Sequence, residues 1–166
     1  MKKTNWVREE LSSVKKGAAR HNEFAMYELA TRYLTGRDVR FDAKAGFHWA
    51  CQAALSGNAK AMVLCGYCLV RGVGTSNEAT SDRIKEAVGW FEDAARLGNA
   101  TAFYNLGSCY LLGIGKPRSK KAALVYYEAA LKMGSKRAKS AIALVEAVDM
   151  AAISKAADVA RLLLVS

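Results

Sequence analysis

The chain has 166 residues, 52 % of them hydrophobic, which is enough for one domain with a substantial core. It has a single proline, abundant alanine and a formal net charge of +10, a composition that favours helix throughout. No apolar stretch approaches the length of a membrane span, and a chain of this size needs no disulfide framework.

The N-terminal stretch MKKTNWVREELSSV begins with charges, as a secretion signal does. However, Arg8, Glu9 and Glu10 interrupt the apolar run that such a signal needs. The four cysteines lie inside apolar helical patterns, where free thiols are common. We therefore expect a cytoplasmic protein in a reducing compartment. Residues 4–20 are predicted to form one helix, within an N-terminal cap that spans residues 1–21.

Three segments of the chain repeat one pattern: 22–57, 58–98 and 99–134. Alanine, aromatic and glycine positions coincide when the segments are aligned. The five extra residues of the second segment fall in a polar loop, where insertion costs little. Two glycines recur in each segment directly after an apolar stretch of helical period, where a left-handed C-cap favours glycine. Each segment is therefore predicted to be a helical hairpin.

The hairpins have predicted first helices at 22–35, 58–71 and 99–112, and second helices at 43–56, 82–97 and 119–133. The residue types expected to cap the second helices are Asp42, Ser81 or Asp82, and Ser119. The aromatic residues expected to fill the wedge between hairpins are Trp49, Trp90, Tyr110 and Tyr126. Residues 135–166 are predicted to form a degenerate fourth hairpin that caps the C-terminal end. The whole chain, 1–166, is thus predicted to be a single all-α domain, an α-solenoid with capping helices.

The stretch GIGK, residues 113–116, contains the glycines and lysine of a phosphate-binding loop. A Walker loop would also need glycine at Tyr110 and serine or threonine at Pro117. Gly72 and Gly74 repeat the same glycine spacing one unit earlier. GIGK is therefore predicted to be a hairpin turn.

The ligand types and spacing of His48, Cys51, Cys65 and Cys68 would suit zinc in another context. In the repeat, Cys65 occupies a core column and Cys51 a column expected to be exposed, so their side chains are expected to point apart. The mid-helix placement of Cys65 and Cys68 also argues against a redox role. No histidine or carboxylate joins an acid–base pair. The sequence therefore predicts neither metal, cofactor nor catalytic residues.

With these columns aligned, the chain resembles the Sel1-like repeat family, relatives of the tetratricopeptide repeats. The third repeat contains ATAFYNLGSCYLLGIG and the second AVGWFEDAARLG, which match the family pattern of small, aromatic and glycine positions. In the first repeat Asp38 stands in place of the second turn glycine, so we expect that turn to have a different shape. The resemblance implies a right-handed superhelix that holds a partner on its concave face. Bacterial members of the family serve in signalling, envelope assembly, host interaction and toxin immunity.

Since the first helices are expected to line the concave side, positions outside the core columns should face a groove. The predicted partner-binding residues are Tyr27, Thr31, Lys60, Val63, Tyr67, Arg71, Thr101, Tyr104, Ser108 and Arg137. Tyrosine beside lysine and arginine suits a protein interface. The resemblance and these residues together predict a non-enzymatic adaptor that binds a protein or peptide.

Basic residues are concentrated between Lys116 and Lys139. This segment contains eight basic residues and one acidic residue, so its net charge is +7 of the total +10. The basic edge predicted from this run consists of Lys116, Arg118, Lys120, Lys121, Lys136 and Lys139. Such an edge should steer an acidic partner into the groove. The alternative is that the same edge binds nucleic acid, although the chain has no recognised RNA or DNA motif.

Overall fold

The fold is a stack of helices packed in chain order. The computed structural model describes residues 5–75 and 80–147, and in these ranges it contains eight α-helices and no strand. The helices are α1 (Leu11–Ala19), α2 (Glu23–Thr35), α3 (Ala43–Leu55), α4 (Ala59–Arg71), α5 (Ser81–Arg96), α6 (Ala100–Leu112), α7 (Lys120–Lys132) and α8 (Lys136–Ala147). Each helix packs against the next, so that α2–α3, α4–α5 and α6–α7 form three successive hairpins. The predicted all-α helical repeat architecture is confirmed.

Side-chain caps fix where the hairpin helices begin. The caps of the first helices are Asn22, Asn58 and Asn99, and those of the second helices are Asp42, Thr80 and Ser119. Each side chain accepts a hydrogen bond from a backbone N–H of the first turn. The prediction of Ser81 or Asp82 as the cap of α5 was wrong, because Thr80 starts the helix earlier.

The two helices of each hairpin approach closely because small residues face large ones. A Cβ atom on Gly66 would lie 2.6 Å from Phe91 Cε1, and one on Gly107 would lie 2.7 Å from a ring carbon of Tyr127. In the first hairpin the equivalent positions are Ala30 and Ala50, both fully buried. The first hairpin makes its close contact elsewhere, because a Cβ atom on Gly46 of α3 would lie 2.5 Å from Leu34 Cγ of α2.

The aromatic side chains at the centre of the core are not the predicted wedge residues but the residues that follow two of them in the sequence. The predicted wedge residues Trp49, Trp90, Tyr110 and Tyr126 are all only partly buried. Among them, Tyr110 and Tyr126 stack with their ring centroids 5.3 Å apart. The fully buried aromatic side chains are Phe91 and Tyr127, which follow two of the wedge positions and face the glycines of the partner helix.

The turns of the second and third repeats pack on the second helix of the preceding repeat, and this contact requires glycine in the turn. A Cβ atom on Gly74 would overlap the Ala43 carbonyl oxygen, and one on Gly115 would lie 2.9 Å from Val88 Cγ2. The first repeat has no preceding repeat, so Asp38 fits at the equivalent position. Asp38 has a φ of 60°, in the same left-handed region as the glycines. The expectation of a differently shaped first turn was therefore wrong.

The N-terminal cap is two elements instead of the one helix predicted over residues 4–20. A short 3₁₀-helix, Trp6–Arg8, is separated from α1 by extended backbone at Glu9 and Glu10. Arg32 explains this break, because its guanidinium donates hydrogen bonds to the carbonyls of Glu9, at 2.7 Å, and of Trp6, at 3.4 Å. A continuous helix would have used these carbonyls internally.

Arg32 is also the centre of a buried charge cluster. Its side chain is buried and pairs with Glu28, Nε to Oε1 at 2.8 Å, and with Asp38, Nη1 to Oδ2 at 3.2 Å. In the second and third repeats the same column holds the buried thiols Cys68 and Cys109. A charged side chain thus holds the N-terminal cap at the position where the other repeats have a small apolar one.

The C-terminal end begins as the sequence predicts. Helix α8 packs on α7, with Ala138, Ala141 and Val145 buried between them. The remainder of the predicted fourth hairpin, from residue 148 to 166, lies outside the described residues.

The third hairpin closes around two buried hydroxyl groups. Ser108 Oγ and Tyr127 Oη are 3.0 Å apart, and both side chains are fully buried. The ring of Tyr104 packs on that of Tyr127 with centroids 5.2 Å apart. Burial raises the pKa of the Tyr127 phenol well above its ordinary value.

Comparing Gly74→Ala with Gly57→Ala separates packing from backbone strain. Both glycines have positive φ, 71° and 91°, but a Cβ atom on Gly57 would have nothing within 4 Å. We expect Gly57→Ala to lower the free energy of unfolding by about 1 kcal/mol through strain alone. Gly74→Ala adds the overlap with Ala43 and should cost about 3 kcal/mol or more. Equilibrium urea unfolding measures both, and equal losses would contradict the packing argument.

Arg32→Ala is expected to destabilise the fold by about 3 to 5 kcal/mol, because it leaves the buried Glu28 carboxylate without its buried partner. Arg37→Ala is the control. Arg37 also pairs with Glu28, but its side chain is 41 % exposed, so water screens the interaction and a loss below about 1 kcal/mol is expected. Thermal unfolding of the two variants tests this order; a larger loss for Arg37→Ala would refute it.

Tyr127→Phe is expected to lower the free energy of unfolding by about 1 kcal/mol at pH 7, because Ser108 loses one of its two hydrogen-bond partners and keeps only the Tyr104 carbonyl. The loss should shrink above about pH 10, where an unfolded tyrosine ionises. Since its folded-state pKa is raised, Tyr127 stays protonated in the native state there. The unfolded state then binds fewer protons, and wild-type stability falls with pH. Unfolding curves from pH 7 to 11 check this; a constant difference between the two proteins would count against it.

Candidate functional site

Three of the predicted partner-binding residues are inaccessible. Val63, Tyr104 and Ser108 are 2 %, 5 % and 0 % exposed, so a partner cannot contact them in this structure. Tyr104 and Ser108 pack against Tyr127 of the next helix, and Val63 belongs to the main core. Their selection was wrong because the position of a residue in the repeat does not reveal which side chains of the same hairpin, or of the next helices, cover it.

Four other predicted residues come together on α2 and α4. Tyr27 and Tyr67 belong to different repeats but are half-buried at the edge of the same apolar cluster. Arg71 lies one turn beyond Tyr67, with its guanidinium carbon 5.9 Å from the centre of that ring. Thr31 lies one turn beyond Tyr27 and donates its hydroxyl proton to the Tyr27 carbonyl at 3.0 Å. We call Tyr27, Thr31, Tyr67 and Arg71 the first-helix strip.

The remaining predicted residues form a separate row. Lys60, Thr101 and Arg137 occupy equivalent positions in the first turns of α4, α6 and α8. Lys60 and Arg137 are exposed, and Thr101 is half-buried. Eleven residues of helix separate Lys60 from Arg71, or about 16 Å. The row therefore lies at the opposite end of α4 from Arg71.

The predicted basic edge is divided between two places. Lys116, Arg118, Lys120 and Lys121 precede or begin α7, whereas Lys136 and Lys139 belong to α8. Helix α7 spans about 18 Å between these groups. Because this distance exceeds the Debye length of about 8 Å at physiological salt, the two groups act largely as separate charges. The prediction of a single basic edge over 116–139 was wrong, because helix α7 places the two groups of basic residues at its opposite ends.

Lys116 has a structural partner. Its Nζ atom lies 2.6 Å from Oε1 of Glu92, a residue of the preceding repeat, and this hydrogen bond raises the pKa of the lysine. Gly113 and Gly115 beside it both have left-handed backbone, as a turn requires. The stretch GIGK thus serves as a turn that is tied to the neighbouring repeat.

The cysteines are arranged differently from the expectation. Cys51 and Cys65 were expected to point apart, but their Sγ atoms are only 2.8 Å apart, between α3 and α4. His48 is exposed, with its ring edge-on to Trp49. In residues 5–75 and 80–147, no group of three histidine, cysteine or carboxylate side chains is placed to hold a metal ion. Over the same residues, no helix combines the length and hydrophobicity of a membrane span.

Sequence reasoning missed an open cleft between α1 and the turn of the first repeat. It has a volume of about 730 Å³ and is lined by Lys15, Tyr33, Phe41 and Lys44, among others. Phe41 is 59 % exposed there. The sequence does contain a signal for this cleft. Asp38 stands where the later repeats have a glycine in contact with the preceding repeat, so its presence indicates a turn on which no repeat is packed.

Comparison with known proteins matches this arrangement to one family. The Sel1 repeat model matches residues 24–58, 59–99 and 100–135. These ranges agree with the three segments predicted from the sequence to within two residues. No curated protein is significantly similar to the chain.

Several solved structures are similar in fold. A Sel1 repeat protein from Oxalobacter formigenes has a TM-score of 0.66 and 29 % identity, over 80 % of this chain and 96 % of that one. A protective antigen of uropathogenic Escherichia coli with an SLR fold, c5321, has a TM-score of 0.70 and 26 % identity, over 77 % of this chain but only 26 % of that one.

Helicobacter pylori cysteine-rich protein B has a TM-score of 0.58 over 82 % of this chain and 96 % of that one. Its 16 % identity limits the likeness to the fold. The three matched repeats cover most of the chain, and the hairpins are those of the similar structures. The chain belongs to the Sel1 repeat family.

Proposed function

We propose that this protein is a non-catalytic adaptor that binds a protein segment along the first-helix strip. The observation that carries the proposal is the placement of Tyr27 and Tyr67, from two repeats, at the edge of one apolar cluster with Arg71 beside Tyr67. Tyrosine and arginine are the side chains most often responsible for binding energy at protein interfaces.

The two tyrosines of the strip are already packed against the protein in the absence of a partner. Both tyrosines are half-buried on helices that pack within the solenoid, so a partner would immobilise few additional side-chain rotamers. Sel1 repeat proteins generally mediate protein–protein interactions, in agreement with this use of the fold. A solenoid also curves, and the proposed strip would lie on its concave side. A more specific role in signalling, host interaction or toxin immunity stays a prediction.

We further propose that the partner segment is acidic. Arg71 belongs to the strip, and Lys60 and Arg137 are exposed in the row of first-turn positions, on a chain of net charge +10. At low ionic strength, where the screening length exceeds the roughly 16 Å between Arg71 and the row, these cations would together steer an acidic segment towards the strip, so association should slow as salt rises. A cytoplasmic location stays a prediction from the sequence.

A capture experiment with matched variants tests the proposal. The immobilised protein is exposed to lysate of the source cell, with and without nuclease. We expect one protein to be retained by the wild type and lost from Tyr27→Ala/Tyr67→Ala, because the double variant removes both anchors. The control is Val125→Ala, which removes a side chain that is 57 % exposed on α7 and should leave retention unchanged.

The other outcomes are equally informative. Loss of the same protein from Val125→Ala as well would show that capture does not depend on the strip. Retention of nucleic acid alone, released by salt and unaffected by the tyrosine changes, would favour the alternative that the basic residues of 116–139 bind nucleic acid. Circular dichroism of each variant confirms that the helices are retained.

A further inference from the structure

The contact between Cys51 and Cys65 has no counterpart in the proposed function. Cys51 lies in α3, the second helix of the first repeat, and Cys65 lies in α4, the first helix of the second repeat. Their Sγ atoms are 2.8 Å apart, whereas a disulfide bond has a length of about 2.05 Å. The two sulfurs therefore need to move together by less than about 1 Å to form a bond. The mid-helix placement of Cys65 argued against a redox role, but that argument did not include a second thiol in contact with it. We propose that Cys51 and Cys65 are an oxidant-sensitive dithiol that closes to a disulfide across the boundary between the first two repeats.

The two thiols differ in exposure. Cys51 is partly exposed at the surface of the α3–α4 contact, so a small oxidant can reach it. Cys65 is fully buried behind it. The hydrogen bond between them lowers the pKa of Cys51 and raises that of Cys65. The accessible sulfur is therefore also the better nucleophile of the two.

These properties give the order of the chemical steps with hydrogen peroxide as the oxidant. The Cys51 thiolate attacks one peroxide oxygen, the O–O bond breaks, and the leaving hydroxide takes up a proton to become water. Cys51 is then a sulfenic acid. The Cys65 thiol loses its proton and attacks Cys51 Sγ, and the S–O bond breaks to release a second water. In total, two thiols and one peroxide give one disulfide and two waters.

The other two cysteines are not expected to react. Cys68 and Cys109 are both fully buried, and burial raises the pKa of each thiol to about 12. Little thiolate is then present at neutral pH, and an oxidant cannot reach the sulfur directly. Oxidation should therefore be confined to the pair at the repeat boundary.

The bond would add a covalent cross-link between two repeats whose interface, α3 against α4, is formed largely by apolar packing. The stability of a solenoid depends on the interfaces between neighbouring repeats. A disulfide between α3 and α4 lies at such an interface, and it also restricts the unfolded chain. This inference concerns the repeat boundary and does not depend on which partner the protein binds.

The experiment uses the full-length protein, reduced, desalted and treated with a small excess of hydrogen peroxide. Free thiols are alkylated, and trypsin then cuts after Lys44, Lys60 and Arg71. Cys51 falls in peptide 45–60, while Cys65 and Cys68 share peptide 61–71. We expect two of the four thiols to be lost and the two peptides to be cross-linked within one chain.

Three variants identify the sulfurs. Cys68→Ser should keep the cross-link, whereas Cys51→Ser and Cys65→Ser should lose it. Peroxide should raise the thermal midpoint of the wild type and of Cys68→Ser by several degrees, and leave that of Cys51→Ser unchanged. Circular dichroism before oxidation confirms that each variant is folded.

Several results would overturn the proposal. Four alkylated thiols after peroxide treatment would show that the pair does not react. A cross-link that persists in Cys65→Ser, or one that joins two chains, would assign the reaction to other sulfurs.

Discussion

The distance between the two helices of a hairpin is the constraint on which the rest of this structure depends. In the second and third repeats a ring lies against a glycine of the partner helix, Phe91 on Gly66 and Tyr127 on Gly107. In the first repeat both positions are alanines, and the glycine that allows the close approach is Gly46 of α3, which lies against Leu34 of α2. Because interiors are packed densely, a large side chain at such a contact needs a position without a side chain opposite it. Each hairpin meets this requirement, although the first does so at a different position.

The helices and turns could be predicted because their signals are local. Capping residues precede the helices, glycines follow them, and both recur at fixed intervals. Accessibility could not be predicted in the same way. Tyr104 and Ser108 share columns with Tyr27 and Thr31, yet the following helices bury only the former pair. The position of a residue in the repeat therefore determines which face of its helix the side chain lies on. Whether a partner can reach that side chain depends on the helices packed around it.

Long-range contacts account for the other differences between the prediction and the structure. No local pattern shows that Arg32 binds carbonyl groups more than 20 residues earlier in the chain, so the break in the N-terminal helix was missed. Column arguments placed Cys51 and Cys65 on different faces, because they treat each repeat separately. The contact between these thiols belongs to two repeats at once and becomes visible only when the hairpins are stacked.

The clamp at Arg32 also bears on how copies of the chain could assemble. A solenoid whose end face is open can accept the opposite end of another copy, and such head-to-tail contacts produce filaments when they do not close. Here the segment Trp6–Ala19 packs on α2 and is held by a buried guanidinium, so α2 is already covered where a preceding repeat would pack, although the turn beside it stays open. Another copy could therefore pack its end against α2 only by displacing a segment that the charge cluster holds in place.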